Sequence, residues 1–484
     1  MCQIVPQDAS QLALAIREGK CSAVEVLEGF LNRIHLRNPA LNAIVTLDIE
    51  SARQRAREAD QAHEKGEIWG PLHGVPVTLK DAFETAGLRT TSGSASLARY
   101  IPHRDAPVVA SMRRAGAIIL GKTNLPPLAD GPQTDNPIFG RTNNPWNQHC
   151  TPGGSSGGGA AAVAAGLSPL DIGSDIGGSL RLPAHFCGIY ALKPTGNRVS
   201  TLGYIASTHP LQLPDEWLWM LEMACAGPLA RSVADLRLCL AVIAQPGTPP
   251  LLHPPPRPLR TLRIAWTDDM GGMPLTEGSR LAINSLADTL ARAGCLVEHH
   301  RLAGFSYEDA WELSGKLLSY LNTLFKPRLT RLTRRFLSKF SNGLNHAHPV
   351  MRGFMKGPGL NAGQIEQLGR QRQAVIQQVE AFLSNWDAWI CPVFPRPAYF
   401  HRPRNASIEV GRQELSQDLA EVMPNVIFNL TGHPAVVIPT GQTEDELPIG
   451  VQLVGRRWGE MELLEVAQQI SQLIGPFRYP PGYQ

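Results

Sequence analysis

The 484-residue sequence lacks several features that mark particular classes of protein. No apolar run approaches the roughly 20 residues that a transmembrane helix requires, so no integral membrane segment is expected. No block of basic residues occurs, and 45 basic against 42 acidic side chains leave a formal net charge of only +3. Neither nucleic acid nor an anionic membrane surface is therefore expected as a partner.

The eight cysteines occur singly, with no CxxC pair. This spacing fits neither a disulfide framework nor a zinc site, and it is typical of a reducing compartment. The first residues, MCQIVPQDASQLALAIREGK, also lack the basic stretch followed by an apolar core that marks a signal peptide. We therefore expect a soluble, cytoplasmic protein.

Alternating strand and helix patterns are what the sequence does contain. HGVPVTLKD and AGAIILGKT are typical of buried strands, while Ser22 and Glu25 form a capping box before an apolar helical stripe. Asp105 is expected to cap a helix that runs toward Arg114. This alternation predicts an α/β fold, a single large twisted mixed β-sheet covered by helices on both faces.

One clear shift in composition occurs along the chain, in the proline-rich stretch Gln245–Pro258. Prolines favour an extended backbone, and LRIAWTDD resumes a strand pattern directly afterwards. We therefore expect this stretch to cross the surface of one domain that spans residues 1–484, rather than to separate two domains.

Two clusters rich in glycine and serine follow each other, TPGGSSGGGAAAVAAG at 151–166 and GSDIGGSLRLPAHFCG at 173–188. Glycine runs allow tight bends and close approach of the backbone, and Ala160–Ala165 is expected to be a helix packed on all sides. A linker, a phosphate cradle or a scaffold for a reactive hydroxyl would each fit the first cluster. The cradle is disfavoured because the GKS or GKT ending is missing.

Ser179 stands where the second cluster is expected to open a helix, since Pro183 is tolerated in a first turn. A serine there lies at the positive end of the helix dipole, close to free backbone N–H groups. Gly177 and Gly178 allow the chain to curl so that these groups converge, as an oxyanion hole requires. The pattern indicates a nucleophilic serine.

Such a serine needs a base, and no histidine occurs in a recognisable triad context: HH at 299–300 and HAH at 346–348 lie in polar stretches. Lys80 ends the apolar strand GVPVTLKD, where lost solvation would favour the neutral amine. A neutral lysine can act as a general base. The alternative is that Lys80 is exposed to solvent at the end of its strand, as most lysines at such positions are, and has no catalytic role.

Taken together, these stretches resemble the amidase signature family. The resemblance includes GGSSGGGAAAVAAG, GSDIGGSLRLPAHFCGIYALKPT, GVPVTLKD and FNLTGHPAVVIPTG. It covers nearly the whole chain, has its signature core at about 70–200, and is closest to fatty acid amide hydrolases and other general amidases. The family's fold is the mixed sheet that the alternating pattern also predicts.

The resemblance implies a Ser–Ser–Lys mechanism, with Ser179 as nucleophile, Ser155 as bridging serine behind a cis peptide bond, and Lys80 as base. It implies an oxyanion hole from the N–H groups of Ile176, Gly177, Gly178 and Ser179, and a substrate contact through the carbonyl of Ala129. Pro126 and Pro127 stand where the family has a helical turn, so that loop is expected to be reshaped. No metal or organic cofactor is implied.

Other conspicuous residues allow more than one interpretation. Asp175 and Arg181 are favoured as a structural pair that braces the oxyanion loop, and Asp81 could orient Lys80 or belong to a separate network. Cys187 and Cys391 are expected to be packing residues. Trp217, Trp219 and Met220 are expected either to belong to the core or to line an acyl pocket.

The predicted function is hydrolysis of a carboxylic acid amide to a carboxylate and ammonia or an amine, through an acyl-enzyme. The apolar, aromatic stretch STHPLQLPDEWLWMLEM favours an apolar or aryl amide as the small-molecule substrate. The alternatives are the glutaminase subunit of a glutamyl-tRNA amidotransferase and, in another class, a catalytically silent scaffold. A homodimer is compatible with the sequence.

Overall fold

The fold is built on one 11-stranded β-sheet. The computed structural model describes residues 8–205, 213–255, 257–324, 348–404, 406–443 and 445–484. The strands are β1 (Ile44–Leu47), β2 (Pro76–Lys80), β3 (Ile118–Thr123), β4 (Asp135–Asn136), β5 (Gly140–Arg141), β6 (Leu170–Asp175), β7 (Tyr190–Lys193), β8 (Cys225–Ala230), β9 (Arg263–Trp266), β10 (Leu296–His299), β11 (Ala388–Pro392), β12 (Ser407–Val410), β13 (Gln413–Ser416), β14 (Ala435–Gln442) and β15 (Pro448–Val454).

Helices cover this sheet and precede or follow most of its strands. The α-helices are Ala9–Arg17, Ala23–Leu41, Ile49–Glu64, Pro107–Arg114, Gly157–Ala164, Arg181–Cys187, Val233–Ile243, Glu277–Arg292, Tyr307–Leu324, Pro349–Lys356, Ala362–Leu383, Gln417–Leu430 and Glu460–Ile474. Within the ranges given above, none of these helices is both long enough and apolar enough to cross a membrane.

The sheet is mixed, with the order β1-β3-β2-β6-β8-β7-β14-β15-β11-β9-β10. β2 is parallel to both β3 and β6, whereas β6, β8, β7, β14 and β15 are joined by antiparallel pairings. Nearly all side chains of β2, β3 and β6 are buried, because helices and loops cover these strands. The prediction of a large mixed sheet covered by helices is confirmed.

Two helix starts differ from the prediction. The helix expected to open at Ser179 begins at Arg181, so Ser179 lies in the preceding turn. Asp105 does not cap the next helix, which begins at Pro107, because its carboxylate accepts a hydrogen bond from the backbone N–H of Ala86 at 2.8 Å. The capping box of Ser22 and Glu25 is present as predicted.

The proline-rich stretch at 245–258 has no strand or helix before Pro258 among its described residues. It is tied to the body of the protein by Arg198, whose guanidinium donates a hydrogen bond to Thr248 Oγ1 at 3.0 Å. Strands on both sides of it, β8 before and β9 after, belong to the same sheet. A single domain over 1–484 stays a prediction.

Candidate active site

The candidate site lies where two parallel strands of the sheet end. β2 ends at Lys80 and its neighbour β6 ends at Asp175. Because parallel strands end at the same edge of a sheet, the residues that follow them meet there. Ser155 and Ser156, which precede the helix Gly157–Ala164, reach the same place.

Lys80 is completely buried and its amine is surrounded by serine hydroxyls. Its Nζ donates to Ser155 Oγ at 2.7 Å, to Ser174 Oγ at 2.9 Å and to Ser156 Oγ at 3.0 Å. The hydroxyl of Ser174 in turn donates to the Tyr204 hydroxyl at 2.8 Å. The predicted pair of Lys80 and Ser155 is therefore in direct contact, and Ser156 and Ser174 complete the coordination of the amine.

Burial lowers the pKa of Lys80 from 10.5 to about 7, because the charged ammonium loses its solvation. The carboxylates of Asp171, Asp175 and Glu421 act in the opposite direction and raise this pKa. No carboxylate forms an ion pair with Lys80 among the residues that the structure describes. A substantial fraction of Lys80 is therefore neutral at neutral pH.

The glycine run places backbone where side chains would collide. A Cβ atom on Gly159 would meet the carboxylate of Asp171, and one on Gly154 would lie 2.9 Å from the backbone nitrogen of Gln133. Asp171 is buried and accepts hydrogen bonds from Thr78 and Thr123. The Gly154–Ser155 peptide bond is cis, as expected. The run is thus neither a linker nor a phosphate cradle.

Asp175 organises the loop that contains Ser179. Its carboxylate pairs with the Arg181 guanidinium at 2.8 Å, and both side chains are fully buried, as predicted for a structural pair. The same carboxylate accepts the N–H of Gly178 at 3.0 Å and that of Leu180 at 3.1 Å. The neighbouring Arg181 charge holds the pKa of Asp175 well below its usual range, against the effect of burial.

The occupied N–H of Gly178 corrects the expectation for the oxyanion hole. Because this group is buried and donates to Asp175, it is not free to bind an oxyanion. Ile176, Gly177 and Ser179 are only partly buried. In the described part of the chain their N–H groups donate no hydrogen bond, so they stay candidates.

Ser179 has a neighbour that the sequence analysis did not include. Its hydroxyl donates to Glu421 Oε1 at 3.4 Å, and no hydrogen bond joins it to Ser155 among the described residues. Glu421 is 7% exposed, and burial raises its pKa well above the ordinary value. One signal could have found it: Glu421, Asn425 and Asn429 form a polar stripe at four-residue spacing on an otherwise apolar helix.

The loop before the glycine run contains a tight turn, and its difference from the family's loop stays a prediction. Pro127–Ala129 forms a short 3₁₀ turn in which Leu128 and Ala129 both have positive φ, at 54° and 56°. Such angles are uncommon for residues other than glycine. Asp81 contacts Thr91 rather than Lys80, which is the network role considered for it.

The remaining predicted residues are buried in the core or packed against it where the structure describes them. Cys187 and Cys391 are buried with raised thiol pKa values, and Met220 lies in the core. Trp217 and Trp219 pack partly buried against that core, while 207–212 of the apolar stretch and 346–347 lie outside the described residues. Within the described ranges, no group of three or more His, Cys, Asp or Glu side chains is arranged to hold a metal ion.

Comparisons with known proteins show which proteins the whole chain is similar to. The family model "Amidase" matches residues 25–464. The chain is 34% identical to an indoleacetamide hydrolase of Bradyrhizobium diazoefficiens, over 96% of this chain and 86% of that protein. It is 32% identical to one of the subunits of the glutamyl-tRNA(Gln) amidotransferase from Synechococcus sp., over 96% of each chain.

A solved structure supports the same fold. The structure of a fatty acid amide hydrolase superposes with a TM-score of 0.79 over 98% of this chain and 86% of that one. The sequence identity is 24%, so this likeness concerns the fold alone.

Proposed function

This chain belongs to the amidase family and is an amide-hydrolysing enzyme, and we propose that it cleaves carboxamides through an acyl-enzyme on Ser179. The observation that supports this most is the 2.7 Å contact between Lys80 Nζ and Ser155 Oγ. It joins a buried amine of lowered pKa to a hydroxyl beside the nucleophile's loop. Family membership argues against a silent scaffold.

Acylation begins with a proton transfer toward Lys80. The neutral amine accepts the proton of Ser155, Ser155 accepts that of Ser179, and Ser179 Oγ attacks the carbonyl carbon. The developing oxyanion is bound by the N–H groups of Ile176, Gly177 and Ser179. The missing hydrogen bond between Ser155 and Ser179 forms when substrate binds, since catalytic hydrogen bonds are often long without it.

The proton then returns by the same path. Lys80 passes it through Ser155 to the leaving nitrogen, the C–N bond breaks, and ammonia or an amine departs. Water attacks the acyl-enzyme while the relay accepts its proton, which releases the carboxylate and restores Ser179.

The substrate class that we propose is an apolar or aryl amide. One of the relatives is named for the hydrolysis of indoleacetamide, an amide with an aromatic acyl group. Trp217 and Trp219 are partly buried beside the core, which leaves the acyl-pocket role open to them but not to Met220.

A second candidate function is that of a glutaminase subunit, because the amidotransferase protein of Synechococcus sp. is nearly as similar as the hydrolase. The two differ in what the isolated chain can do. A general amidase releases ammonia from simple amides by itself, whereas the glutaminase requires glutamine and the rest of its complex.

The purified chain should therefore be tested with phenylacetamide and with glutamine, measuring ammonia release and the acyl adduct by intact-protein mass spectrometry. We expect turnover of phenylacetamide, an adduct on the wild type, and neither with Ser179→Ala, whose folding is checked by circular dichroism. Turnover of glutamine but not of phenylacetamide, or of neither substrate by the isolated chain, would favour the second candidate. Full activity of Ser179→Ala would contradict the assignment of the nucleophile.

A further inference from the structure

Glu421 lies outside the nucleophile's own loop and accepts a hydrogen bond from the hydroxyl of Ser179. Its Oε1 lies 3.4 Å from Ser179 Oγ, and the side chain is 93% shielded from solvent by the fold (7% exposed). No ion pair of Glu421 occurs among the described residues, so this carboxyl has no cationic partner there. The relay described above makes no use of it.

The helix Gln417–Leu430 holds Glu421 rigidly against the nucleophile's loop. One turn further on, Asn425 packs beneath Gly178, where a Cβ would meet the Asn425 amide at 2.9 Å. After another turn, Asn429 donates to Asp175 at 2.9 Å. Contacts at three successive turns therefore fix the position of the Glu421 carboxyl relative to Ser179.

Further contacts connect the start of this helix with the backbone that precedes the bridging serine. Gln417, one turn before Glu421, accepts a hydrogen bond from Gln133 Nε2 at 2.7 Å. The backbone of Gln133 lies against Gly154, which precedes the bridging Ser155. Ser155 is the residue that we propose returns the proton to the leaving nitrogen, so the start of this helix is connected with the residue that the leaving group approaches.

The distances then decide what the carboxyl meets. At attack, the carbonyl carbon lies roughly 3–3.5 Å from Ser179 Oγ, and the amide nitrogen is one bond of about 1.33 Å further. A carboxyl oxygen 3.4 Å from the same Oγ is within hydrogen-bond reach of an N–H on that nitrogen when the leaving group lies on the same side of Ser179 as Glu421. An ester has an acceptor oxygen at this position and no hydrogen to donate.

We propose that Glu421 is a specificity-determining residue, whose carboxyl oxygen accepts a hydrogen bond from the N–H of the scissile amide and thereby favours amides over esters of the same acyl group. The inference rests on the proposed function of Ser179. Burial raises the pKa of Glu421, and the nearby Asp418 raises it further. A carboxyl has an oxygen that can accept a hydrogen bond in either protonation state.

The test compares phenylacetamide with methyl phenylacetate, as the ratio of their kcat/KM values. Glu421→Leu should lower the ratio of amide to ester by about 5- to 100-fold, because the amide N–H loses its acceptor. Glu421→Gln keeps an accepting oxygen and should restore most of the ratio. Glu366→Leu, which removes an exposed carboxylate from the helix Ala362–Leu383, is the matched control and should leave the ratio within about threefold.

If Glu421→Leu leaves the ratio of the two kcat/KM values unchanged, whether or not both values fall, the inference is overturned. Turnover by the wild type would then still support the proposed function. Absence of any amide turnover by the wild type would instead overturn the proposed function itself. If Glu421→Leu does not fold, as judged by circular dichroism and thermal unfolding, Glu421→Met removes the carboxyl with less change of shape and is measured in the same way.

Discussion

Two buried lysines on neighbouring parallel strands of the sheet have very different surroundings. Lys80 ends β2, and Lys122 lies in β3, opposite Leu79. Both are completely buried, and burial lowers their pKa values to about 7 and about 8. By burial and pKa alone, either could act as a neutral base.

Their hydrogen-bond partners separate them. Lys122 donates to Thr85 at 2.9 Å, to Thr90 at 3.2 Å and to the carbonyl of Phe83, all within the chain that follows β2. Lys80 donates to three serines, of which Ser155 lies beside the partly exposed loop of Ser179. A lowered lysine pKa thus indicates a base only where the amine also has a proton path to a reactive group.

The largest effect that would sharpen this comparison comes from replacing each lysine by methionine. We expect Lys80→Met to lower kcat/KM on an amide by about 10²–10⁴-fold, because the proton acceptor is gone. Lys122→Met, which removes the same charge from the adjacent strand, should stay within about threefold in kcat/KM.

Lys80→Arg should not recover activity, since the guanidinium stays charged and cannot accept a proton. Thermal unfolding of all three variants establishes that they are folded. Near-wild-type activity of a folded Lys80→Met would end the assignment of Lys80 as base. An equally large loss in Lys122→Met would remove the difference between the two lysines.

A smaller loss is expected from Ser155→Ala, which interrupts the path from Lys80 rather than its end. We expect kcat/KM to fall by about 10- to 100-fold, less than in Lys80→Met, because a water molecule can occupy the place of the missing hydroxyl. Single-turnover measurement of acylation distinguishes this step from product release. A loss larger than that of Lys80→Met would give Ser155 a role beyond the relay.

Below the pKa of Lys80, kcat/KM is expected to fall about tenfold for each unit by which the pH is lowered. This pKa is lowered to about 7, so the amine is neutral above that pH and protonated below it. The kcat/KM of the wild type should therefore rise with pH and level off above about 7. Lys122→Met should keep this acid limb in place, and a wild-type profile that is flat down to pH 5 would contradict the assignment.

The two lysines also show which features of the site could be predicted from the sequence and which could not. GVPVTLKD and AGAIILGKT are both apolar strands that contain a lysine near their ends, so desolvation applies to both. The end of a buried strand indicated Lys80 as a candidate base, but the same pattern did not exclude Lys122, and the resemblance to the amidase family then implied the role for Lys80. The strands, the glycine run and the pair of Asp175 and Arg181 followed from local spacing and were predictable for that reason.

The parts of the site that the sequence analysis missed depend on contacts between distant segments. Ser174 is 94 residues from Lys80, and Glu421 is 242 residues from Ser179. The engaged N–H of Gly178 depends on which way the Asp175 carboxylate turns, which no spacing reveals. Each of these contacts follows from the packing of the sheet and its loops. The periodicity of a single segment does not predict such packing.

The smallest expected effect concerns a hydroxyl that matches Ser155 in its chemistry but belongs to the other lysine. Thr85→Val removes the hydroxyl that accepts from Lys122 at 2.9 Å and keeps the shape of the side chain. Lys122 keeps its bonds to Thr90 and Phe83, so we expect a loss of about 0.5–1.5 kcal/mol in the free energy of unfolding. For a chain of this length, that corresponds to a fall in Tm of about 1–2 °C.

The kcat/KM of Thr85→Val should stay within about twofold, because this hydroxyl leads to no reactive group. Differential scanning fluorimetry and steady-state kinetics on one preparation measure both. A loss of activity as large as that of Ser155→Ala, without a matching fall in Tm, would mean that the hydroxyls around Lys122 also serve the reaction.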